Sequence, residues 1–269
     1  MELFDIKNKV IVITGGTGVL GTAMVKYLAS QGAQMAVLGR NVEKGENLID
    51  EVKKAGGEAI FLQADVTDKE KLLEAREKII NRFGKIEVLI NGAGGNMPAA
   101  TIGPNGSFLD LSVDAFKKVV DINLFGTVLP TTVFAEAMIK NGEGVIVNIA
   151  SEAALRPLTR VVGYAAAKAA VVNYTKYMAG ELSTKFGDKF RVNAMAPGFF
   201  ITEQNRTLLT NPDGTYTDRG KTILAHTPFK RFGEPEELLG GLHYLVSDAS
   251  KFVNGTVLVI DGGFDAFSI

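Results

Sequence analysis

Seven short runs rich in β-branched residues recur along the chain, separated by longer stretches in which apolar residues have helical spacing. Runs that are apolar throughout are typical of parallel strands buried on both faces of a sheet. Regular alternation of such strands with helices indicates an α/β fold with a doubly wound parallel sheet. We therefore predict one domain over residues 1–269, with helices on both faces of seven parallel strands. The predicted strands are residues 10–14, 34–39, 59–65, 86–91, 144–150, 190–196 and 256–262.

One long stretch breaks this alternation, from Pro197 to Pro235, and is rich in Asn, Thr, Gly and charged residues. Loops of this length are uncommon in compact domains unless they serve a function. We predict that this stretch covers a substrate, and we name residues 197–235 the lid segment.

The charge balance and the lack of cysteine exclude several classes of function. Lys and Arg number 29 against 30 Asp and Glu, so a net charge of -1 argues against nucleic acid or an anionic membrane as partner. Without Cys there is no disulfide, no thiolate nucleophile and no thiolate metal site. We see no signal peptide and no apolar run near the roughly 20 residues of a membrane-spanning helix, so we expect a cytoplasmic protein.

The two histidines, His226 and His243, have no partner ligand at metal-binding spacing. Isolated histidines of this kind more often serve the structure than a metal. The sequence therefore predicts no metal site.

The segment TGGTGVLG lies between the first predicted strand and a predicted helix. Strand, glycine turn and helix form the layout of a Rossmann dinucleotide site, in which main-chain N–H groups and the helix N-terminus bind the pyrophosphate. Gly16-x-Gly18-x-x-Gly21 has the required spacing, although glycine turns after strands also occur for structural reasons alone. We predict that the cofactor is contacted by Gly15, Gly16, Thr17, Gly18, Val19 and Leu20.

The end of the second predicted strand bears on the choice of cofactor. An acidic residue there would bind the ribose 2′-hydroxyl of NAD, whereas Arg accommodates a 2′-phosphate. This chain has Arg40 and no carboxylate in the sequence Leu-Gly-Arg-Asn. Because a guanidinium matches phosphate geometry, we predict NADP(H), with NAD(H) as the alternative if Arg40 only faces solvent.

Tyr164 and Lys168 are four residues apart and share one face of a predicted helix. Ser151 lies just after the fifth predicted strand, at the sheet edge where ligands bind in such folds. A ketone that accepts hydride needs a proton, and a free Tyr has a pKa of about 10. We expect the Lys168 ammonium and an oxidised nicotinamide to lower the pKa of Tyr164, and Ser151 to hydrogen-bond the developing oxyanion.

Together with these residues, Asp65-Val66, Asn91-Gly92-Ala93-Gly94, Asn123 and Pro197-Gly198 make the chain resemble a short-chain dehydrogenase/reductase over nearly its whole length. The resemblance implies that Tyr164 is the general acid/base and that Ser151 positions the substrate oxygen. It implies that Lys168 holds the nicotinamide ribose and tunes Tyr164. It also implies that Asn123 anchors a water in a proton relay to Lys168.

The same resemblance implies further cofactor contacts. Asp65 and Val66 would contact adenine, Asn91 would lie near the adenosine ribose and brace the central strand, and Thr202 would contact the carboxamide. The remaining positions of the implied cofactor site are Gly92, Ala93, Pro197 and Gly198.

Two positions depart from the family pattern. The compact subtype has TGxxxGxG, whose middle glycine is Val19 here, while the glycine at Gly18 comes one residue earlier. We expect a slightly altered pyrophosphate turn. Gly92 stands where many members have a second Asn, and there we expect little effect.

The residues that flank the catalytic set are polar, and they include Thr159, Arg160 and Glu203. A pocket for a steroid or fatty chain would be mostly apolar, whereas donors with Arg suit a polyol that carries a carboxylate. Each arginine could instead face water. The candidate substrate residues are Asn96, Glu152, Arg156, Gln204, Asn205 and Arg206.

The segments NGAGGNMPAAT, RPLTR, PGFFITEQNR and HTPFKRFGEPEELLG are similar to the D-mannonate oxidoreductase (fructuronate reductase) group of this family. That likeness implies reduction of D-fructuronate to D-mannonate. Gluconate 5-dehydrogenase and 3-oxoacyl-thioester reductase activities are the alternatives within the family. From another class, a non-catalytic nucleotide-sensing module stays open because fold alone does not fix function.

The helix predicted over residues 161–180 is rich in alanine and has small residues on more than one face. In the resembling family the matching helix pairs across a two-fold axis. We therefore expect a homotetramer.

Overall fold

The computed structural model describes residues 3–103, 105–202 and 205–266. Its strands form one seven-stranded sheet in the order β3-β2-β1-β4-β5-β6-β7, and every neighbouring pair is parallel. The predicted doubly wound α/β fold is thereby confirmed. The strands are β1 (Val10–Thr14), β2 (Gln34–Gly39), β3 (Glu58–Gln63), β4 (Val88–Asn91), β5 (Gly144–Ile149), β6 (Phe190–Pro197) and β7 (Val257–Ile260).

The strand order reverses at β1, which lies between β2 and β4. From β1 the chain winds outward to β3, then crosses back to β4 and continues to β7. In open parallel sheets the ligand crevice lies outside the carboxyl ends of the strands at such a reversal. Thr14 and Asn91, paired in register at the ends of β1 and β4, mark that place.

Helices cover both faces of the sheet. The α-helices among the described residues are α1 (Val19–Ser30), α2 (Val42–Lys54), α3 (Lys69–Phe83), α4 (Val113–Val120), α5 (Gly126–Asn141), α6 (Val162–Phe186), α7 (Arg206–Leu209), α8 (Asp218–His226) and α9 (Leu239–Val246). The side chains of β1 alternate between the two faces. Ile11 and Ile13 face one apolar cluster, with α1, α2 and α9, whereas Val10 and Val12 face another, with α3, α5 and α6.

Helices α4 and α5 are joined by a π-helical turn, Asp121–Phe125, into one continuous helix. This run, Val113–Asn141, is long and apolar enough to cross a membrane by length and composition, with a mean hydropathy of 1.4 in its most apolar 18-residue window. The expectation that no stretch of the chain approaches such a length was therefore wrong. More than half of its most apolar window is buried, and α5 packs against the sheet, as a core helix does.

The lid segment is folded rather than irregular. It contains α7 and α8, and Phe200 forms an isolated parallel bridge with Gly233 near its other end. Leu209, Ile223 and Phe232 are buried in a small apolar cluster of its own. The segment is thus a compact unit, and its function as a substrate cover stays a prediction.

Candidate active site

Three glycines of the TGGTGVLG turn are needed by the chain's own packing. A Cβ on Gly21 would lie 2.4 Å from the main-chain oxygen of Gly15, and one on Gly16 would lie 2.7 Å from Val37 Cγ1. Gly15 has φ +68°, a left-handed conformation, and its Cβ would lie 2.8 Å from Ala93. These glycines let α1 and the turn approach β1, β2 and the loop after β4.

Gly18 differs from the other three. It is exposed, and an added Cβ would meet nothing closer than the oxygen of Gly15 at 3.4 Å. It precedes α1 as the N-cap residue without a capping side chain, and the first turn of α1 has no acidic residue. The N–H groups at this end are therefore left for a ligand, as a dinucleotide pyrophosphate requires.

The position of Val19 explains the unusual glycine spacing. Val19 is the first residue of α1 and does not have a positive φ, so a side chain is tolerated there. The open position is one residue earlier, at Gly18. The first turn of α1 fits a dinucleotide, and the contacts predicted for Thr17 and Leu20 stay predictions.

The end of β2 contributes Arg40, which is exposed and lies near Asp65. Hydrogen bonds from Thr67 lower the pKa of Asp65, and the Arg40 charge adds to this effect. Thr17 packs at the same place, since a Cβ on Gly39 would lie 2.9 Å from its Oγ1. Thr17, Arg40 and Asp65 thus lie near one another, where the adenosine end of a dinucleotide is predicted. The other predicted adenine contact, Val66, is buried.

Asn91 braces the strands rather than offering its side chain to a ligand. Its Nδ2 donates to Asn148 Oδ1 at 2.8 Å and to Thr131 Oγ1 at 2.9 Å, and the residue is fully buried. The bracing role is as predicted, but its amide group is not accessible to an adenosine ribose.

The turn after β4 is held by the hydroxyl of Thr14, whose Oγ1 accepts the N–H groups of Gly92 and Ala93, each at 3.2 Å. A Cβ on Gly92 would lie 2.8 Å from the main-chain oxygen of Thr14. An Asn at this position would therefore require the backbone to move. Gly92 avoids this clash, so the turn as it is built here requires the departure from the family pattern.

Lys168 and Asn123 meet across Gly94. Lys168 Nζ donates to the main-chain oxygen of Ile149 at 2.7 Å. Asn123, in the π-helical turn, donates to the oxygens of Gly95 at 2.7 Å and Val119 at 2.8 Å. A Cβ on Gly94 would lie 2.6 Å from Asn123 Oδ1 and 3.2 Å from Lys168 Nζ.

This arrangement makes Gly94 essential to the pair. A side chain there would displace either the amide or the ammonium group. The water-anchoring function of Asn123 stays a prediction, because its amide is already engaged by the chain.

Tyr164 and Ser151 are neighbours at the crevice, and the Ser151 hydroxyl acts on the pKa of Tyr164. Tyr164 is half-buried, on the first turn of α6, and packs beside Met97 and Ala100. Burial raises the pKa of Tyr164, and the nearby Ser151 hydroxyl opposes that rise. The expected lowering by Lys168 is not what this geometry gives, since Lys168 Nζ lies 5.7 Å from the ring centroid and bonds to Ile149.

Burial instead acts strongly on Lys168, whose pKa is lowered to about 8 because a charged ammonium is poorly solvated there. An ammonium with a pKa near neutrality can lose and regain a proton in the working range of most enzymes. Lys168 is therefore placed to exchange protons behind Tyr164.

The end of β6 brings the lid segment to the crevice. Gly198, next to Pro197, lies against the last strand, and a Cβ on it would lie 2.6 Å from Asp261 Cβ. Thr202 is held by Asn205, whose Oδ1 accepts the Thr202 N–H at 2.7 Å and whose Nδ2 donates to the Phe200 oxygen at 2.8 Å. Asn205 therefore shapes the loop around Thr202, and its predicted substrate contact is not supported.

Arg156 is used by the chain, whereas within the described ranges the neighbouring Glu152 carboxyl group is not. Both carboxylate oxygens of Glu152 are buried and lack a hydrogen-bond partner among the described residues. Burial raises the pKa of Glu152 to about 7, and the nearby Asp265 and Asp261 add to the rise. Arg156 Nε donates to Asp265 Oδ1 at 2.7 Å, so this guanidinium ties the loop to the C-terminal segment.

The other candidate substrate residues differ in their surroundings. Asn96 is exposed and bonds to Thr101 Oγ1 at 3.0 Å, and Arg206 is exposed at the start of α7. Gln204, like Glu203, lies outside the described residues.

Sequence reasoning missed Arg219 and Asp265, which contact the loop before α6 from distant parts of the chain. Arg219 Nη1 donates to Thr159 Oγ1 at 3.0 Å. Neither residue belongs to a motif, so no sequence signal pointed to them. For Asp261 the sequence contains a weak signal, the two glycines that follow it. In the structure both glycines have a positive φ and turn the chain back after β7.

His243 and His226 have structural surroundings. His243 is buried between Tyr27 Oη at 2.9 Å and the oxygen of Phe4 at 2.6 Å, and His226 lies 2.9 Å from the Thr222 oxygen. Over the described ranges, no group of three His, Cys, Asp or Glu side chains is arranged to hold a metal ion.

A cavity of about 190 Å³ lies between the lid segment and the end of β7, lined by Phe199, Phe229 and Ile260 among others. Ser151, Tyr164 and Lys168 are not part of its lining. We place the catalytic crevice at the strand ends rather than here, because the catalytic side chains and the open end of α1 meet there.

The chain was compared with known proteins. The sequence profile of the short chain dehydrogenase family matches residues 9–213. The oxidoreductase UxuB of Bacillus subtilis, whose function is uncharacterized, is 43% identical, with 98% of this chain and 97% of the relative covered.

Two solved structures give the same family. One from Haemophilus influenzae, provisionally described as a D-mannonate oxidoreductase with bound NAD, is 41% identical with a TM-score of 0.92 and covers 98% of this chain and 97% of its own. A gluconate 5-dehydrogenase from Burkholderia cenocepacia, in complex with NADP and tartrate, is 30% identical with a TM-score of 0.87 and 99% coverage of each chain. The chain therefore belongs to the short-chain dehydrogenase family and is an NAD(P)-dependent oxidoreductase that acts on CH–OH groups.

Proposed function

We propose that this enzyme transfers hydride between nicotinamide and a small sugar acid, with reduction of D-fructuronate to D-mannonate as the favoured reaction. The observation that carries the proposal is the likeness, at 41% identity over 98% of the chain, to the structure described as a D-mannonate oxidoreductase. The gluconate 5-dehydrogenase that holds tartrate adds support, because tartrate is itself a hydroxy acid.

The bound nicotinamide would supply the hydride, and the chain would supply the proton. Ser151 would hold the substrate oxygen, since its hydroxyl lies beside that of Tyr164. Tyr164 would donate its proton to that oxygen, and Lys168, with its pKa lowered to about 8, would restore it.

A direct assay tests the substrate. Oxidation of NADPH and NADH is followed with D-fructuronate, 5-keto-D-gluconate and an acetoacetyl thioester at equal concentrations. We expect kcat/KM for fructuronate to exceed that for the thioester by at least about tenfold. A site built to bind a substrate carboxylate rejects a ligand that lacks one, because its own polar groups are then left without a partner. Activity on the thioester alone would overturn the proposal.

Of the three alternatives, gluconate 5-dehydrogenase activity is decided by the assay with 5-keto-D-gluconate, and the other two are less well supported. A 3-oxoacyl-thioester reductase needs a pocket for an acyl chain, whereas Asn96, Thr159 and Arg160 make this mouth polar. A non-catalytic nucleotide-sensing module has no need of the catalytic set, and Ser151, Tyr164, Lys168 and Asn123 are all present in the crevice.

We propose NADP(H) as the preferred cofactor, because Arg40 is exposed at the end of β2 with no carboxylate in the adjoining strand end. The two related structures contain NAD and NADP respectively, so relatives use either. The test is kcat/KM for NADPH and NADH in the wild type and Arg40→Ala. Loss of a charge-assisted phosphate contact should reduce kcat/KM for NADPH by about tenfold or more and leave NADH little changed. Equal use of both cofactors by the wild type would contradict it.

We also propose that the enzyme assembles as a homotetramer. Apolar side chains around α4 are well exposed, among them Phe108 at 72%, Leu109 at 78% and Val113 at 64%. Grouped exposed apolar residues commonly mark an interface. Light scattering coupled to gel filtration gives the mass directly, and a stable monomer would contradict the proposal.

A further inference from the structure

Arg160 has an unusual backbone conformation at the mouth of the crevice. Its φ is +76°, in the left-handed region that side chains other than Gly, Asn and Asp seldom adopt. The main-chain oxygen of Arg160 accepts the N–H of Ile102 at 3.0 Å, so the loop after β4 holds it in place. Such conformations persist where the surrounding structure imposes them, often at ligand sites.

Arg219, the second residue of α8, reaches the same place from the lid segment. Its Nη1 donates to Thr159 Oγ1 at 3.0 Å and its Nη2 to the Thr159 oxygen at 3.3 Å. Thr159 directly precedes Arg160. Burial lowers the pKa of Arg219, and the positive charge of Arg160 lowers it further. The two guanidinium groups are therefore close enough to repel each other.

Among the described residues, neither arginine has an acidic partner. Arg160 and Arg219 take part in no ion pair within the part of the chain that the structure describes. Arg156, by contrast, pairs with Asp265. Two like charges brought together without a carboxylate are unfavourable until an anion joins them.

We infer that Arg160 and Arg219 together bind the carboxylate of the substrate, between the loop before α6 and the lid segment. This inference rests on the proposed function, because it assigns the acid group of a sugar acid to named side chains. It replaces the earlier candidates Arg156, whose charge is paired with Asp265, and Asn205, whose amide carries no charge and holds its own loop.

The position of the pair suits a short acid. Arg160 lies two residues before α6 begins and four residues before Tyr164 in the chain. In fructuronate, only four carbon–carbon bonds separate the keto carbon from the carboxyl carbon, so an acid held at Tyr164 needs a carboxylate ligand nearby. Because Arg219 belongs to α8 and Arg160 to the loop, one carboxylate bound between them also fastens the lid segment over the crevice.

The test compares an acid with its neutral counterpart. D-Fructuronate and D-fructose differ by a carboxylate in place of a hydroxymethyl group. Kinetics with both are measured for the wild type, Arg160→Gln and Arg219→Gln, and binding of D-mannonate to the enzyme with oxidised cofactor is measured by calorimetry. We expect each variant to raise KM for fructuronate by about 10- to 100-fold, with less effect on kcat and on fructose, and to weaken mannonate binding similarly.

Two further variants serve as controls. Lys221→Gln removes a positive charge from the same helix, where Lys221 is exposed and lies 3.7 Å from Asp218, and should leave KM unchanged. Arg219→Lys keeps the charge but loses the planar fork, so its KM should lie between those of the wild type and Arg219→Gln. Melting temperatures identify any variant that fails to fold.

The outcomes separate the two claims. A wild type that prefers fructuronate, with a preference lost in both Gln variants, supports the inference. If the preference survives in Arg160→Gln and Arg219→Gln, the inference is wrong and the proposed function stands. A wild type that does not prefer fructuronate to fructose overturns both.

Discussion

The two halves of the crevice are built in different ways. On the cofactor side, the turn after β1 is fixed by contacts a few residues apart, such as Gly21 against Gly15. It is also fixed by the Thr14 hydroxyl, which accepts two N–H groups from the turn after β4. On the substrate side, the loop before α6 is held by residues from far along the chain, Asp265 and Arg219. The cofactor side depends on glycines, which leave room for close main-chain contacts. The substrate side depends on charged side chains that come from distant parts of the chain.

This difference also appears in the polar groups. The cofactor side leaves helix N–H groups open at the exposed Gly18, which suits a ligand that nearly all relatives of this fold share. Among the described residues, the substrate side contains a buried carboxyl group without a hydrogen-bond partner, Glu152, and two arginines that form no ion pair, Arg160 and Arg219. Unpaired charge costs stability, so it is retained where specificity is needed.

Removing the Tyr164 hydroxyl, which lies between the cofactor side and the substrate side, should have the largest effect on activity. Tyr164→Phe should lower kcat by about 10²- to 10⁴-fold, because a positioned general acid contributes that much. Binding of NADPH, followed by its fluorescence, should change little. Tyr177→Phe on the same helix is the matched control, since Tyr177 is 66% exposed. A Tyr164→Phe enzyme of normal kcat would show that the proton comes from elsewhere.

Glu152→Gln tests the strain on the substrate side. The pKa of Glu152 is raised from 4.5 to about 7, so the folded protein holds this proton more tightly than the unfolded chain. The free energy of unfolding should therefore fall as pH rises from about 4.5 to 7, by up to about 3 kcal/mol in total. Gln mimics the protonated acid, so the variant should be more stable than the wild type at pH 8, and the difference should shrink to about 1 kcal/mol or less at pH 5.

Urea unfolding at pH 5, 6 and 8 measures this difference. The exposed Glu143→Gln is the control and should show no pH-dependent gain. If Glu152→Gln were no more stable than the wild type at pH 8, the carboxylate would have to be ionised and well solvated in the folded state.

Much of the cofactor side could be predicted from sequence, because its residues stand in short motifs. The strand pattern gave all seven strands, and the spacing of Tyr164 and Lys168 placed them on one helix beside Ser151. The function of individual glycines could not be read in this way. That Gly16 packs on Val37, and that Gly94 separates Asn123 from Lys168, depends on contacts between distant segments.

The substrate side was predicted less well for the same reason. Polar residues near the motifs were interpreted as substrate contacts, yet Arg156 pairs with Asp265 and Asn205 bonds to its own loop. Arg219 carries no motif, and only the docking of α8 brings it to Thr159. Sequence shows that polar side chains are available, but only the fold shows which of them are already engaged.

Two alanine substitutions in the glycine turn separate packing from ligand binding. Gly21→Ala places a methyl 2.4 Å from the Gly15 oxygen and should destabilise the protein by about 1–3 kcal/mol. Gly18→Ala meets nothing closer than 3.4 Å and should change stability by about 0.5 kcal/mol or less, while weakening NADPH binding about tenfold. Denaturant unfolding and fluorescence titration give the two quantities. Equal destabilisation by both would mean that Gly18, too, is there for packing.

The smallest expected effect is at Asn205, and it tests whether the substrate side is held by its own loop. Asn205→Ala removes the bonds to the Thr202 N–H and the Phe200 oxygen, each worth about 1 kcal/mol or less where solvent can replace it. Because these bonds position Thr202 rather than bind substrate, kcat/KM should fall about two- to tenfold for fructuronate and fructose alike. A loss confined to the acid would instead make Asn205 a carboxylate ligand. The ratio of kcat/KM for fructuronate to kcat/KM for fructose thus distinguishes a residue that positions the loop from one that binds the carboxylate. Arg219→Gln, measured in parallel, gives the ratio expected when a carboxylate ligand is lost.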